Sequence, residues 1–343
     1  MQERTHTLTQ STPIRVAMIG CGGFARHHLR RMLPLADRPA IPVMCEPSPA
    51  AYAETARLFE EAGLPPPPNQ PDLTRLLADH VGELDVAFVI TPHAYHHDQV
   101  VACLEAGLDV LMEKPMTMNV REALSLIETR DRTGRVLMVA FPASLSARYR
   151  AAIALRQSGE LGRLMGISAT LWEHWAPPNI GTWRMKPEIS GGGYLFDAGA
   201  HLMNATAELA GEEFAEVAAW LDNNGQPVET RGTVMCKTAS GAFVTLHFMG
   251  EAAHTVGADI HAFYSEATIH TDAWGRRMEL QRRGEKTPQP LDPPDAPSAW
   301  EQFLAVRAGV LPNPGPAENG LRVVRLWEAV TASAAQGGKP VKV

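Results

Sequence analysis

Five short runs in the first 142 residues are almost wholly apolar: IRVAMIG, IPVMCE, LDVAFVI, LDVLMEKP and RVLMVAFP. Continuous rather than alternating apolarity marks strands buried on both faces, as in a parallel sheet. Between them the period becomes helical. Ala25, Leu29, Met32 and Leu33 recur at helical spacing, AAYAETARLFEEAG and DLTRLLADH carry it on, and HHDQVVACLEAG closes at Gly107 as a C-cap. LPPPPNQP interrupts with a stiff connection that no sheet interior accepts. Alternating strands and helices predict a doubly wound parallel α/β sheet. Beyond Phe141 the runs LGRLMGISATLWEHW, GTVMCKTASGAFVTLHFMG and ATIHTDAWGRRMELQRR are strand-like and joined by short turns. They predict an α+β domain with a mainly antiparallel open sheet.

The first apolar run leads straight into GCGGFARHHLRRML, so its glycines stand between a strand and a helix. That context gives the glycine pattern its meaning. Gly20 can make the tight turn, and Gly22 carries no side chain to keep a pyrophosphate from the backbone. The helix N-terminus supplies free N–H groups and a positive dipole end that suit phosphates, Gly23 is counted with the cofactor-binding glycines, and Ala25 in place of a third glycine still permits close helix packing. Glu46 ends the second strand 24 positions after Gly22, near the roughly 20-residue offset of a ribose-binding acid. A carboxylate there accepts ribose hydroxyls and repels a 2′-phosphate, which favours NAD over NADP. The expected organisation is a polar tail at 1–12, an NAD(P)-binding Rossmann domain at 13–141, and a domain at 142–343 for substrate binding and oligomerisation.

Composition narrows the function classes. With 343 residues, 45% hydrophobic and 20% charged, the chain is of ordinary globular type and long enough for two domains. No run reaches the roughly 20 apolar residues of a membrane helix, and MQERTHTLTQSTP lacks a signal-peptide core, so a cytoplasmic location is expected. A net charge of -7 without a basic stripe argues against nucleic acid. Cys21, Cys45, Cys103 and Cys236 show no metal or disulfide spacing. His93, His96 and His97 lie close in sequence, but no carboxylate or cysteine pattern completes a ligand set, and no metal is expected.

VLMEKPMT ends a buried strand on Glu113 and Lys114. In doubly wound sheets ligands bind beyond the carboxyl ends of the strands, so these charges can face a ligand; an exposed surface pair is the ordinary alternative. Further on, Asp197 and His201 stand four apart in an expected helix, on one face, as an acid-base pair requires. Gly191, Gly192 and Gly193 let the backbone pass close to something.

Together GCGGFA at 20–25, TPHAYH at 91–96, EKP at 113–115, WR at 183–184, GGGYLFDAGAH at 191–201 and the closing ENGLRVVRLWEAVTASAAQGGKPVKV resemble the glucose-fructose oxidoreductase, inositol dehydrogenase and rhizopine catabolism (Gfo/Idh/MocA) family. The resemblance implies that Lys114 is the active-site lysine, that Glu113 helps hold the nicotinamide ribose, and that Asp197 and His201 complete the catalytic set. It also implies cofactor contacts from Phe24, Thr91, Pro92 and His96, a cis bond before Pro115, and a homodimer or homotetramer. Two departures from the family pattern are Pro142-Ala143-Ser144 and Asn204.

The activity so implied is NAD(P)-dependent hydride transfer between a secondary alcohol of a sugar, polyol or sugar acid and nicotinamide. His201 is the candidate base, titrating near neutrality, with Lys114 on the developing alkoxide; the reverse assignment stays open. Trp172, Trp175 and Trp183 cluster where an aromatic face can pack on a sugar ring. Redox-assisted hydrolysis, elimination or isomerisation with retained NAD, and a non-catalytic dinucleotide sensor, are the alternatives.

Overall fold

The computed structural model describes residues 13–343, and the polar tail expected at 1–12 lies outside the described residues. The chain divides into two compact units after Ile90.

In the first unit β1 (Arg15–Ile19) lies between β2 (Ala40–Cys45) and β3 (Val86–Val89), all parallel. Helix α1 (Gly23–Met32) follows β1, while α2 (Pro49–Glu61) and α3 (Leu73–His80) connect β2 to β3. Every side chain from Val16 to Ile19 and from Val86 to Val89 is removed from water, which is why those runs lack alternation. Ser48 and Asp72 set the starts of α2 and α3, each side chain accepting a backbone N–H three residues on.

The second unit begins with α4 (His96–Glu105), β4 (Asp109–Met112), α5 (Val120–Thr133) and β5 (Leu137–Val139); β4 and β5 pair in parallel. Helices α6 (Pro142–Leu145) and α7 (Ala147–Gln157) then lead into β6 (Leu164–His174). Three short helices follow, α8 (Ala176–Asn179), α9 (Pro187–Ser190) and α10 (Tyr194–Asp197), and then α11 (Gly199–Ala210). The remaining strands are β7 (Phe214–Asp222), β8 (Arg231–Thr238), β9 (Phe243–Met249), β10 (Glu251–Tyr264), β11 (Ala267–Thr271), β12 (Met278–Arg282) and β13 (Gln289–Pro290). Helices α12 (Ala299–Arg307) and α13 (Ala317–Ala335) and strand β14 (Val341–Lys342) close the chain.

Nine of these strands form one sheet in the order β13-β12-β11-β10-β6-β9-β8-β7-β14. The β6–β9 pair is parallel and the other pairings are antiparallel, so the sheet is mainly antiparallel as expected. Its buried face, including Ile167, Leu171, Leu246, Phe248 and Ile260, packs on the helices, among them the almost wholly buried α11.

The three consecutive glycines resolve into three close approaches. Gly191 has φ +75, a Cβ on Gly192 would lie 2.6 Å from Trp327, and a Cβ on Gly193 would lie 2.0 Å from the carbonyl oxygen of Glu229. Gly193 N–H donates to the Glu229 carboxyl at 2.7 Å and Tyr194 N–H to its carbonyl at 2.8 Å. The turn that starts α10 is thus tied to the approach to β8. By contrast, a Cβ on Gly22 meets nothing within 4 Å. Gly193→Ala is therefore expected to destabilise the fold by about 3 kcal/mol and lower Tm by roughly 5 °C or more, whereas Gly22→Ala leaves Tm nearly unchanged; thermal melts followed by circular dichroism compare the two.

Candidate active site

In the first unit, Gly20 takes φ +90, a left-handed conformation that suits glycine alone among common residues. Space above both Gly22 and Gly23 is open. No side chain caps α1 and its first turn holds no acid, so its N–H groups and dipole are left for an anion. Ala25 is fully buried against the sheet, while Phe24 is half exposed. The Glu46 carboxylate accepts from Cys21 N–H at 2.7 Å and from Ser48 N–H at 2.8 Å. Those two bonds hold it beside the glycine turn, and each oxygen keeps acceptor capacity for a ribose hydroxyl. These residues fit a dinucleotide.

In the second unit, Lys114 and Asp197 meet. The Lys114-Pro115 bond is cis, and the buried Lys114 ammonium donates to the Asp197 carbonyl oxygen at 2.9 Å and to Asp197 Oδ1 at 3.3 Å. Asp197 Oδ2 accepts from Trp175 Nε1 at 3.0 Å and from Arg184 Nε at 2.7 Å. His93 completes the ring of partners, with Nδ1 donating to the Ser190 carbonyl at 2.7 Å and Nε2 lying 3.6 Å from Asp197 Oδ1. Burial works to raise the Asp197 pKa, but the Lys114 charge, the neighbouring His93 imidazole and the Arg184 guanidinium outweigh it and hold the carboxyl well below the usual range.

One expectation needs correction here. Asp197 and His201 do not share a helix: α10 ends at Asp197 and α11 begins at Gly199. In a continuous helix the Asp197 carbonyl would receive the N–H of His201. Instead that carbonyl receives Lys114 Nζ, and His201 N–H bonds the Ala198 carbonyl at 3.1 Å. The lysine takes the acceptor that would have propagated the helix.

The direction of the His201 pKa also departs from expectation. Burial, seconded by the Lys114 charge, pushes it well below the ordinary histidine value against the pull of Asp197. The ring is therefore neutral at pH 7, and its buried Nδ1 has no hydrogen-bond partner. A base titrating near neutrality does not describe His201. Two groups that sequence reasoning missed share this surrounding. Glu173, on β6, is pushed up to about 7 by burial first and the Asp197 charge second, with Lys114 opposing. Tyr194 Oη is buried without a partner; burial, then the charges of Glu173 and Asp197, raise its pKa. The signal for Glu173 was its place three residues beyond Thr170 in an alternating strand, on the same face as Leu171.

Other expected site residues are held as follows. Glu113 is buried. His96 is fully buried between two carbonyls, Pro115 O at 2.8 Å from Nδ1 and Thr91 O at 2.8 Å from Nε2. Burial lowers its pKa to about 4, so the neutral ring donates one N–H and braces the Lys114-Pro115 turn from within. Thr91 Oγ1 donates to Gln99 at 2.6 Å, and Pro92 precedes the short turn His93–Tyr95. His97 faces Asp98 and Ser125, so His93, His96 and His97 point to different partners. Asp259, His261 and His270 do come together on β10 and β11. The two imidazole planes are stacked 4.2 Å apart at 5°, so their in-plane lone pairs run side by side instead of converging as metal ligands must.

The three tryptophans have separate tasks. Trp175 is buried on Asp197, Trp183 stands edge-on to His93 at 4.8 Å with the Arg184 guanidinium 4.5 Å over its ring, and Trp172 covers Gly257. The two departures noted in the sequence bond each other: Asn204 Nδ2 donates to Ser144 Oγ at 3.0 Å, and Ser144 Oγ donates to Glu208 at 2.8 Å. An aspartate at 204 would bring a second carboxylate where the asparagine supplies a donor. All four cysteines are free and buried. Among the described residues no helix is long and apolar enough to cross a membrane.

Comparison with known proteins places this arrangement. Levoglucosan dehydrogenase of Pseudarthrobacter phenanthrenivorans is 27% identical over 66% of this chain and 59% of its own length. A dTDP-3,4-didehydro-2,6-dideoxy-alpha-D-glucose 3-reductase of Streptomyces antibioticus is 29% identical over 87% of this chain and 90% of its own. The chain spans only 59%, 41% and 55% of three such curated relatives. In fold it is similar to an inositol dehydrogenase homolog from Azotobacter vinelandii complexed with NAD+, with a TM-score of 0.82 at 22% identity over 98% of this chain and 100% of that one. Residues 14–141 match the oxidoreductase family with an NAD-binding Rossmann fold, and residues 149–270 match the GFO/IDH/MocA C-terminal domain. With both halves matched, and with the lysine and aspartate of the EKP and GGGYLFDAGAH motifs in contact, the chain belongs to the Gfo/Idh/MocA family.

Proposed function

We propose that this protein is an NAD-dependent dehydrogenase that oxidises a secondary alcohol of a sugar or polyol, with residues 13–141 as its nucleotide-binding domain and residues 142–343 binding substrate. The observation that carries the reading is the buried Lys114–Asp197 pair beside an uncommitted, neutral His201. Relatives named as levoglucosan dehydrogenase and D-glucoside 3-dehydrogenase support the substrate class. A cytoplasmic location belongs to the same reading.

Bound NAD supplies the acceptor for the carbinol hydrogen. The chain supplies the rest. A neutral imidazole is a base ready to take the hydroxyl proton, and His201 has a free acceptor or donor position at Nδ1 according to its tautomer. Asp197 takes two of the three Lys114 N–H bonds, leaving one to meet the oxygen on which negative charge develops. Asp197 orients Lys114 and keeps its own charge through its four side-chain partners. Thr91, Pro92, Glu113, Phe24 and the glycine turn complete the cofactor contacts in this reading, with His96 as the brace behind them.

The opposite face of the nine-stranded sheet exposes Trp220, Met235, Phe243 and Phe263. Such an apolar surface suits burial against a second copy, and supports a homodimer or homotetramer.

A panel of neutral sugars and polyols followed by NADH absorbance tests the activity. Lys114→Met is expected to lose about 100-fold or more in kcat while calorimetry shows NAD binding retained; near-normal turnover would remove Lys114 from the mechanism. Because a lowered pKa keeps His201 neutral from its folded value upward, its ionisation falls on the acid side of the ordinary histidine range. His201→Asn should cost about 100-fold in kcat without altering the shape of the profile between about pH 6.5 and 8, and disappearance of a neutral inflection in that variant would contradict the assignment. Glu46 predicts NAD binding at least several-fold tighter than NADP, with Glu46→Ser narrowing the gap; equal calorimetric affinities in the unmodified protein would refute the preference.

A further inference from the structure

Glu173 is a carboxylate without a hydrogen bond or ion pair among the described residues, beside one that has every partner it can use. Alternation along β6 puts it on the face of Ile167, Ala169 and Leu171, which is turned to the interior. Its neighbour across the ladder is Val256, but the next pair is His174 with Glu251, so residues 252–255 of β10 bulge out where Glu173 ends the regular pairing. Tyr194 lies in the same electrostatic surrounding, with its hydroxyl buried and unpaired. The ring of Tyr194 contacts that of Trp175, whose Nε1 donates to Asp197. An unmade bond at a buried polar atom calls for a partner that the chain does not provide.

Resting on the dehydrogenase reading, we infer that Glu173 and Tyr194 form a substrate subsite that binds hydroxyl groups of an uncharged sugar or polyol and disfavours an anionic one. A substrate hydroxyl can donate to the Glu173 carboxylate and accept from Tyr194 Oη. A carboxylate or phosphate in that place would face the charges of Glu173 and Asp197, while Arg184 is engaged by Asp197 and the one remaining Lys114 N–H is directed, in this reading, to the reacting oxygen. Repulsion and desolvation would then act against the wrong substrate, which is how specificity is commonly enforced. The elevated pKa of Glu173 fits a carboxyl whose hydrogen-bond partners arrive with the substrate.

Calorimetry on the full chain with saturating NAD tests this, with levoglucosan, myo-inositol and D-glucose as neutral probes and D-glucuronate as the anionic one. At least one neutral probe is expected to bind about ten-fold or more tightly than glucuronate. Glu173→Gln should weaken that binding about ten-fold and Tyr194→Phe about three-fold, with melting temperatures unchanged. Unaltered affinity in Glu173→Gln, tighter binding of glucuronate than of every neutral probe, or no binding of any neutral probe would overturn the subsite. Glu173-dependent binding without NADH formation on any probe would uphold the subsite and refute the dehydrogenase reading. NADH formation with the same KM in both variants would do the reverse.

Discussion

The buried contact between Lys114 and Asp197 is the constraint on which the second unit depends. Two charges taken out of water are costly, and removing one partner of such a pair typically costs about 3–5 kcal/mol because the other is left uncompensated. Here the charge of Asp197 is shared among Lys114, Arg184, Trp175 and His93. The same lysine also takes the Asp197 carbonyl, and with it the acceptor that would have joined α10 to α11. One side chain therefore sets the charge of the aspartate, the break in the helix and the position of His201 beyond that break.

Electrostatics around the pair follow from this arrangement. Burial is the first cause of both neighbouring shifts, and the pair adds to it: the ammonium that stabilises Asp197 further lowers the proton affinity of His201, while the aspartate further raises that of Glu173. Neighbouring groups are thereby driven apart in protonation: one carboxyl permanently charged, one poised near neutrality, one imidazole kept neutral. Divergent pKa values within a single cluster are the usual mark of acid-base chemistry. Ser144 and Asn204 show the opposite strategy, in which an amide replaces a carboxylate so that a buried network with Glu208 stays supplied with donors.

Much of this was legible in the sequence because burial on both faces writes itself as continuous apolarity. The five parallel strands and the glycine turn after β1 were visible for that reason. Strands β7 and β10 were not singled out, since FAEVAAWLD carries its alternation in small residues and EAAHTVGADIHAFY is polar, exposed at its start and bulged against β6. The break at Ala198 was hidden because its cause is Lys114, far away in sequence. His93 was visible as a histidine but not as a partner of Asp197, and Glu173 was one acid among many until the fold placed it beside that charge.

The account stands on a carboxylate at position 197 that never loses its charge under working conditions. Carboxyl carbon NMR, comparing the unmodified protein with Asp197→Asn between about pH 4.5 and 8, observes that charge directly. The account predicts a resonance assigned to Asp197 that stays at the ionised position across the range, because its pKa is held well below the ordinary aspartate value. A titration of that resonance with a midpoint inside the range would contradict it.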